Sequence, residues 1–204
     1  MWCEPAPLVN SHDFPSQAVG KAVPYGIYDQ QANAGYLGIG QSADTPALAV
    51  DHSATWWSSM GQMPYPQATD LLILADAAGS NGYRARCFKQ QLQAKLADVF
   101  ALIVTVTHFP PGASQWNPIE QRLFSQISTT WAGTPLTSFE LALDGIRRTT
   151  TATGLTVQAP LIETTYPKRL TVSDEEMATL AIQRHHFCPQ WNYTIYPRTL
   201  RSCF

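Results

Sequence analysis

Two acidic residues, Asp76 and Glu120, are the best candidates for chemistry in this sequence. Asp76 ends the apolar run D-L-L-I-L-A-D, which is typical of a strand, and the small-residue loop A-A-G-S-N-G follows it. Glu120 falls in the first turn of a helix that we predict beyond Asn117. Carboxylate oxygens are the ligands that Mg²⁺ prefers. If the two acids lie at the ends of neighbouring elements, they can hold a divalent cation for phosphoryl transfer.

Both acids also have an ordinary structural interpretation. An aspartate after a strand often caps the next turn. The segment Asn117-Pro118-Ile119-Glu120 fits a capping box, in which Asn117 caps the helix and Glu120 reaches back to the cap. The loop H-F-P-P-G-A-S-Q-W-N before Glu120, taken together with Asp76, favours the metal site. The histidines are more typical of structural or solvated positions, and His108 is the best outside candidate for a ligand because its turn leads to Glu120.

The apolar periodicity predicts an α/β chain that begins with a hairpin. The predicted strands cover 22–29, 36–40, 70–75, 101–107 and 154–159, and the predicted helices cover 44–61, 83–100, 118–130, 136–153 and 173–180. We expect one mixed sheet with helices packed on it, and a strand at 70–75 that is buried on both faces. The tail from Trp191 looks irregular. Ligands of such sheets bind outside the carboxyl ends of the strands, where Asp76 lies.

Composition limits the remaining possibilities. At 204 residues the chain suits one domain, for which we predict an extended lead-in (1–21), a core (22–153) and a C-terminal extension (154–204). No apolar run is long enough for a membrane span and no signal peptide is evident, so we expect a cytoplasmic location. The scattered cysteines lack a C-x-x-C pair, so we expect free thiols rather than a zinc site. They are Cys3, Cys87, Cys188 and Cys203.

Basic residues are concentrated in the second part of the chain. Residues 1–80 carry one lysine and seven acids, whereas residues 81–204 carry twelve cations and eight acids. This asymmetry is compatible with an anionic polymer along the second part, although solvated helix faces explain it nearly as well.

Three segments resemble the DDE transposases of bacterial insertion sequences: L-I-L-A-D-A-A-G-S-N-G, H-F-P-P-G-A-S-Q-W-N-P-I-E-Q-R-L-F-S and W-N-Y-T. More narrowly, the chain is similar to the Rhodopirellula-type DDE domain from about Asn10 to Tyr193. The resemblance implies an RNase H-like fold whose two aspartates and one glutamate hold two Mg²⁺ (or Mn²⁺) ions. It implies metal-dependent DNA strand cleavage and transfer, with Asp76 as the second acid and Glu120 as the third.

The same resemblance implies DNA as the partner, both as transposon ends and as target. The candidate DNA-binding residues are Arg84, Arg86, Trp116, Asn117 and Arg122. Trp116 can stack on a base, although packing under its turn explains it equally well. No membrane partner is expected, and a homo-oligomer is left open.

The sequence departs from the family pattern in several places. The family's first acid lies on a strand before the hairpin, and neither Asp13 nor Asp29 matches that position. Gln115 and Gln121 stand where a lysine and a histidine are usual, which weakens electrostatic help at the phosphates. The family's three glycines after the second acid read Ala-Ala-Gly here, a milder change.

We therefore expect an N-terminally truncated transposase that lacks the first strand and has impaired activity. Two alternatives remain: an inactive remnant that binds DNA or a partner, and an unrelated Mg²⁺-dependent phosphohydrolase.

Overall fold

Two four-stranded mixed sheets form the framework of the part of the chain that the computed structural model describes, namely residues 23–40, 44–134, 136–167 and 169–198. The predicted lead-in over residues 1–21 lies outside this part. The chain is a mixed α/β protein, as the sequence predicted. The expectation of a single sheet is wrong, because no ladder hydrogen bond joins the two sheets among the described residues.

The first sheet is built on the predicted hairpin, β1 (Val23–Asp29) and β2 (Ala34–Gly40). The two strands are antiparallel, and β5 (Thr156–Gln158) and β6 (Leu161–Ile162) add to β2 in parallel. In the turn, one carboxylate oxygen of Asp29 accepts hydrogen bonds from two backbone N–H groups, at 3.0 Å each. This interaction fixes the reversal locally, which is why the sequence could predict it.

The second sheet has the strand order β3, β4, β8, β7. Its strands are β3 (Asp70–Asp76), β4 (Ile103–Phe109), β7 (Ile182–Arg184) and β8 (Asn192–Ile195). β3 and β4 are parallel, whereas β8 is antiparallel to both β4 and β7. The predicted irregular tail is therefore wrong for β8, where Tyr193 and Ile195 are buried. Strands from the predicted C-terminal extension thus enter both sheets.

Capping side chains define where several helices begin. The Thr45 hydroxyl accepts from the Leu48 N–H at 3.2 Å, ahead of Pro46. Ser138 caps the helix Phe139–Arg147 in the same way, and Ser173 forms a complete capping box with Glu176. The helices are α1 (Pro46–Trp56, extended by a π-helical turn Trp57–Gly61), α2 (Arg86–Leu92, extended by Gln93–Ala97 and Asp98–Phe100), α3 (Ser125–Trp131, preceded by the π-helical turn Glu120–Phe124), α4 (Phe139–Arg147) and α5 (Asp174–Ala178).

Two apolar clusters hold these elements together. In the first, α1 and α2 pack against both sheets, through side chains such as Trp57, Leu92, Val104 and Tyr193. In the second, α3 and α4 cover the opposite face of the first sheet. Trp56 and Trp57 belong to the core, as predicted. Because β2 is covered on both faces, all seven of its residues are buried.

Strand β3 is less covered than its sequence predicts. Leu71 and Ile73 pack against the first cluster, but the alternate residues Leu72 and Leu74 point the other way and are 61% and 36% exposed. The predicted burial on both faces is therefore wrong for this strand. Its apolar sequence suits a central position, yet among the described residues β3 pairs along one edge only, with β4.

Two further expectations can be compared with the structure. Cys87 and Cys188, the cysteines within the described part, are free thiols. Among the described helices, none has both the length and the apolar character needed to cross a membrane.

Candidate active site

Asp76 is the last residue of β3 and lies opposite Phe109, at the end of the parallel strand β4. The carboxyl ends of both strands therefore meet at the same edge of the second sheet. From that edge the chain turns through 110–113 and one 3₁₀ turn, Ser114–Trp116, before the helical segment that contains Glu120. This short connection brings Glu120 back toward Asp76.

Asn117 links the two acids. Its side-chain N–H donates to Oδ1 of Asp76 at 3.3 Å, and its own Oδ1 accepts from the backbone N–H of Ile119 at 3.4 Å. Asn117 is 7% exposed, so both contacts are shielded from water. The same side chain thus caps the helix that carries Glu120 and orients the carboxylate of Asp76. Asn117 thus has the capping role that the sequence predicted, and this role does not prevent Asp76 and Glu120 from lying in the same cleft.

Asp76 and Glu120 also interact through their charges. Burial and, to a lesser extent, the charge of Asp76 raise the pKa of Glu120 above its usual value. Both side chains line one cleft of about 580 Å³, which lies between β1 and β3. A cation placed between them would offset their repulsion, because it favours the charged form of each carboxylate.

The loop after Asp76 folds tightly back on itself. Gly79 has a φ of +84°, which favours glycine, and the Gly82 N–H donates to the Gly79 carbonyl at 3.2 Å. A Cβ on Gly82 would lie only 2.9 Å from the backbone oxygen of Ala77. With the Pro110-Pro111-Gly112 turn, this loop lines a second cavity of about 660 Å³ beside Asp76. Small residues therefore keep the backbone near the carboxylate accessible.

His108 fixes this loop rather than facing the two acids. It is buried, with Nδ1 2.8 Å from the carbonyl oxygen of Trp191 and Nε2 2.9 Å from that of Asn81. One ring thus connects the end of the loop after β3 with the segment before β8. His108 was the best outside candidate for a metal ligand, but its ring contacts backbone carbonyl oxygens within the fold.

Asp44 is a residue near the site that the sequence did not single out for chemistry. It directly precedes Thr45, which caps α1. Its carboxylate instead lies 4.0 Å from the position that a Cβ on Gly79 would occupy. No local sequence signal indicates this proximity, since it depends on how α1 packs beside the loop.

One family comparison covers most of the chain. The family model described as the Rhodopirellula transposase DDE domain matches residues 3–197. The chain belongs to this family. Comparisons with curated proteins and with solved structures gave no match. Membership supports a transposase function and, in general terms, a polynucleotidyl transferase that acts on DNA.

The candidate ligands of this transposase domain are of the type that a hard divalent cation binds, but they are few. Asp76 and Glu120 provide carboxylate oxygens, which Mg²⁺ and Mn²⁺ accept. Within the described ranges, however, no group of three or more acidic, histidine or cysteine side chains comes together. Asp76 and Glu120 are therefore two candidate ligands, and no third joins them within the described ranges.

The candidate DNA-binding residues of the transposase domain lie in different surroundings. Arg84 is exposed beside the second cavity and stacks over Tyr83, 5.1 Å from the ring centre. Arg86 forms an ion pair with Asp174 at 2.7 Å and also donates to a backbone carbonyl. Arg122 is exposed and lies two residues after Glu120.

Gln115, Trp116 and Gln121 are close to Asn117 and Glu120 in the chain. Trp116, 71% exposed, lies directly before Asn117, so its ring is accessible to a ligand beside the site. The side chain of Gln121 donates to the Gln115 carbonyl at 3.0 Å. The neutral amide of Gln121 is thus held in a contact within the protein.

Proposed function

We propose that this chain is a transposase domain that acts on DNA strands with a divalent cation held by Asp76 and Glu120. The observation that carries the proposal is the Asn117 contact with Asp76, in the same cleft where burial and, to a lesser extent, the Asp76 charge raise the pKa of Glu120. We further infer an RNase H-like fold, since an antiparallel hairpin is followed by two parallel strands joined by a helix.

Each residue of the site would have a separate role. Asp76 and Glu120 would bind the cation, which supplies activation of a water or DNA hydroxyl and stabilisation of the leaving oxygen. Asn117 would keep the Asp76 carboxylate oriented. Arg84 and Arg122 would contact backbone phosphates, and Trp116 would stack on a base.

We also propose that the activity of the chain on its own is weak. Mg²⁺ demands nearly octahedral geometry, and two carboxylates fix it poorly. Gln115 and Gln121 bring no positive charge to the phosphates, so transition-state stabilisation is reduced further.

Nicking of supercoiled plasmid DNA in Mg²⁺ or Mn²⁺ tests this function. We expect slow, metal-dependent nicking that is lost in Asp76→Asn and in Glu120→Gln. Glu163→Gln is the matched control, because Glu163 is exposed and lies outside the residues that line the cleft. Nicking that persists in Asp76→Asn would show that the site is wrong.

Two other outcomes would favour the alternatives. DNA binding without any metal-dependent cleavage would favour an inactive binding module. Turnover of a small phosphate ester without affinity for DNA would favour an unrelated phosphohydrolase.

A further inference from the structure

The turn between β7 and β8, residues 185–191, lies at the same edge of the second sheet as Asp76. Because β8 is antiparallel to both β4 and β7, the strands β3, β4 and β7 all end at this edge. The strand order places Arg184, the last residue of β7, three strand spacings of about 4.8 Å from Asp76, roughly 14 Å in all. The described lining of the cleft includes no residue of this turn. The turn is therefore a separate surface, within reach of a ligand that extends from the two acids.

Aromatic side chains lie together at this turn. The rings of Tyr83 and Trp191 meet edge-on, with 6.2 Å between their centres, and both residues are partly exposed. Phe187, within the turn, is 77% exposed, and its backbone carbonyl accepts a hydrogen bond from the Asn192 side chain at 3.0 Å. An exposed ring on a hydrogen-bonded turn offers a face to a planar partner. Nucleic-acid bases stack on such rings whatever their sequence.

A cluster of cations lies next to these rings. The Lys89 ammonium is buried, donates to the Tyr83 carbonyl and lies 5.2 Å from the centre of the Tyr193 ring. Burial and, to a lesser extent, the charges of Arg184 and Arg86 lower the pKa of Lys89 to about 8. The cations are therefore close enough to repel one another. A bound anion would offset this repulsion, so the cluster favours a negatively charged ligand.

Two arginines have charge available for such a ligand. Arg84 and Arg184 are both exposed, and Arg184 donates to the Pro189 carbonyl at 3.0 Å. Among the ion pairs of the described residues, none includes either arginine, whereas Arg86 is paired with Asp174 at 2.7 Å. A guanidinium can donate two N–H groups to one phosphate at once. The surface thus combines phosphate-binding side chains with rings on which bases stack.

We propose that this turn surface, formed by Tyr83, Arg84, Arg184, Phe187 and Trp191, binds an unpaired stretch of the DNA strand that extends from the two acids. A base stacks on Phe187, and the arginines contact the phosphates on either side. The strand is unpaired because the faces of bases inside a duplex are covered by their neighbours. The inference rests on the proposed function for the identity of the ligand, and it adds that the bound DNA is single-stranded beside the site.

Fluorescence anisotropy with a labelled oligonucleotide tests the proposal on the full chain. The probe is a thymidine strand of about twelve nucleotides, within the usual range of single-strand sites. EDTA is present, so that the result does not depend on the metal site. We expect saturable binding that is about tenfold or more tighter than binding of the same strand annealed to its complement. A strand that lacks its bases should also bind about tenfold more weakly, because only the phosphate contacts remain.

One pair of variants tests the stacking. Phe187→Ala should weaken binding of the single strand about fivefold or more, and it should change the affinity for duplex by less than about twofold. Tyr196→Ala is the matched control. Tyr196 is 39% exposed and directly follows β8, at the end of that strand away from the turn. It should leave the affinity for the single strand within about twofold.

A second pair tests the phosphate contacts. Arg184→Gln keeps a side-chain donor for the Pro189 carbonyl but removes the charge. We expect the dependence of log affinity on log salt concentration to become shallower by about 0.7, as for the loss of one phosphate contact with a single strand. Arg148→Gln is the control, because Arg148 is exposed at the end of α4, and it should leave this slope unchanged.

Three results would overturn the proposal: equal binding of the single strand by Phe187→Ala and the parent, tighter binding of the duplex, and tighter binding of a uridine strand, which would make RNA the ligand. The EDTA condition separates this proposal from the proposed function. Strand binding that requires Phe187, without any nicking in metal, would support the turn surface and contradict the function. Nicking that requires Asp76, with unchanged strand binding in Phe187→Ala, would do the reverse.

Discussion

The side-chain amide of Asn117 donates to Asp76 at 3.3 Å while its oxygen caps the helix that carries Glu120. A single buried residue therefore fixes two acids that are distant in sequence. Replacing hydrogen-bonded neighbours that orient ligating carboxylates typically changes metal affinity by roughly 10- to 100-fold.

Replacing Asn117 should separate this orienting role from ordinary capping. We expect Asn117→Ala to lower the free energy of unfolding by about 1 kcal/mol, because a helix cap is lost. We also expect Mn²⁺ affinity, measured by isothermal titration calorimetry, to fall about tenfold or more, since Asp76 loses its partner. Ser138→Ala is the control, because Ser138 caps α4 away from the cleft. It should lower stability similarly and leave Mn²⁺ affinity unchanged; equal losses of affinity in both variants would contradict the orienting role.

Glu120 should make stability depend on pH in a defined direction. Burial and the Asp76 charge raise its pKa, so the folded chain retains this proton to higher pH than the unfolded chain does. The ionised carboxylate therefore costs stability above the raised pKa, and this cost disappears as the pH falls toward about 4.5. We expect Glu120→Gln to have a higher Tm than the parent at pH 7 without metal, with the difference vanishing near pH 4. A lower Tm for the variant at pH 7 would mean that burial and the Asp76 charge do not disfavour the ionised form of Glu120.

Local signals in the sequence predicted much of the fold. Thr45, Ser138 and Ser173 mark helix starts because a cap acts within three residues of itself. The predicted ends of helices were less accurate, since α4 ends at Arg147 and not at residue 153. The hairpin was also predicted from a local signal, the turn between its two strands.

Tertiary relationships were predicted less well. Tyr193 lies in a strand of only four residues, and its place in the sheet depends on pairing with β4, far away in the chain. Leu72 belongs to an apolar run that indicates a central strand, yet its exposure depends on which neighbours are present.

The approach of Asp76 to Glu120 followed from the rule that parallel strands end at the same edge. The contact of Asn117 with Asp76 and the contacts of His108 did not follow from any pattern, because they depend on the directions of single side chains. A sequence read without coordinates therefore locates the acids but not the residues that position them.

His52 should be responsible for a separate loss of stability in acid. It is buried between Tyr25 and Tyr36, and its Nε2 accepts from the Gly38 N–H at 3.1 Å. Burial lowers the pKa of His52 from 6.5 to about 4. Between these values the unfolded chain binds a proton that the folded chain does not, so stability is present above about pH 6.5 and falls as the pH decreases toward 4.

The variant His52→Gln tests this dependence, because glutamine offers an acceptor to Gly38 without titrating. We expect urea denaturation of the parent to show a loss of roughly 2–4 kcal/mol between pH 6.5 and 4 that the variant does not share. Parallel pH profiles for the two proteins would show that another group controls acid unfolding.

His108 should control the order of the loop beside Asp76. Its ring contacts two carbonyl oxygens, of Asn81 and Trp191, so His108→Phe leaves both without that partner while filling similar space. We expect a loss of about 1 kcal/mol in the free energy of unfolding, because the ring contacts to these half-buried carbonyls are lost while the backbone N–H of residue 108 still donates to Trp191. Hydrogen exchange followed by mass spectrometry should show faster exchange over residues 77–82. His186→Phe is the control, since His186 is exposed, and it should leave both measurements unchanged. Unaltered exchange in the 77–82 loop of His108→Phe would mean that the tight turn at Gly79 and Gly82 holds the loop without the histidine.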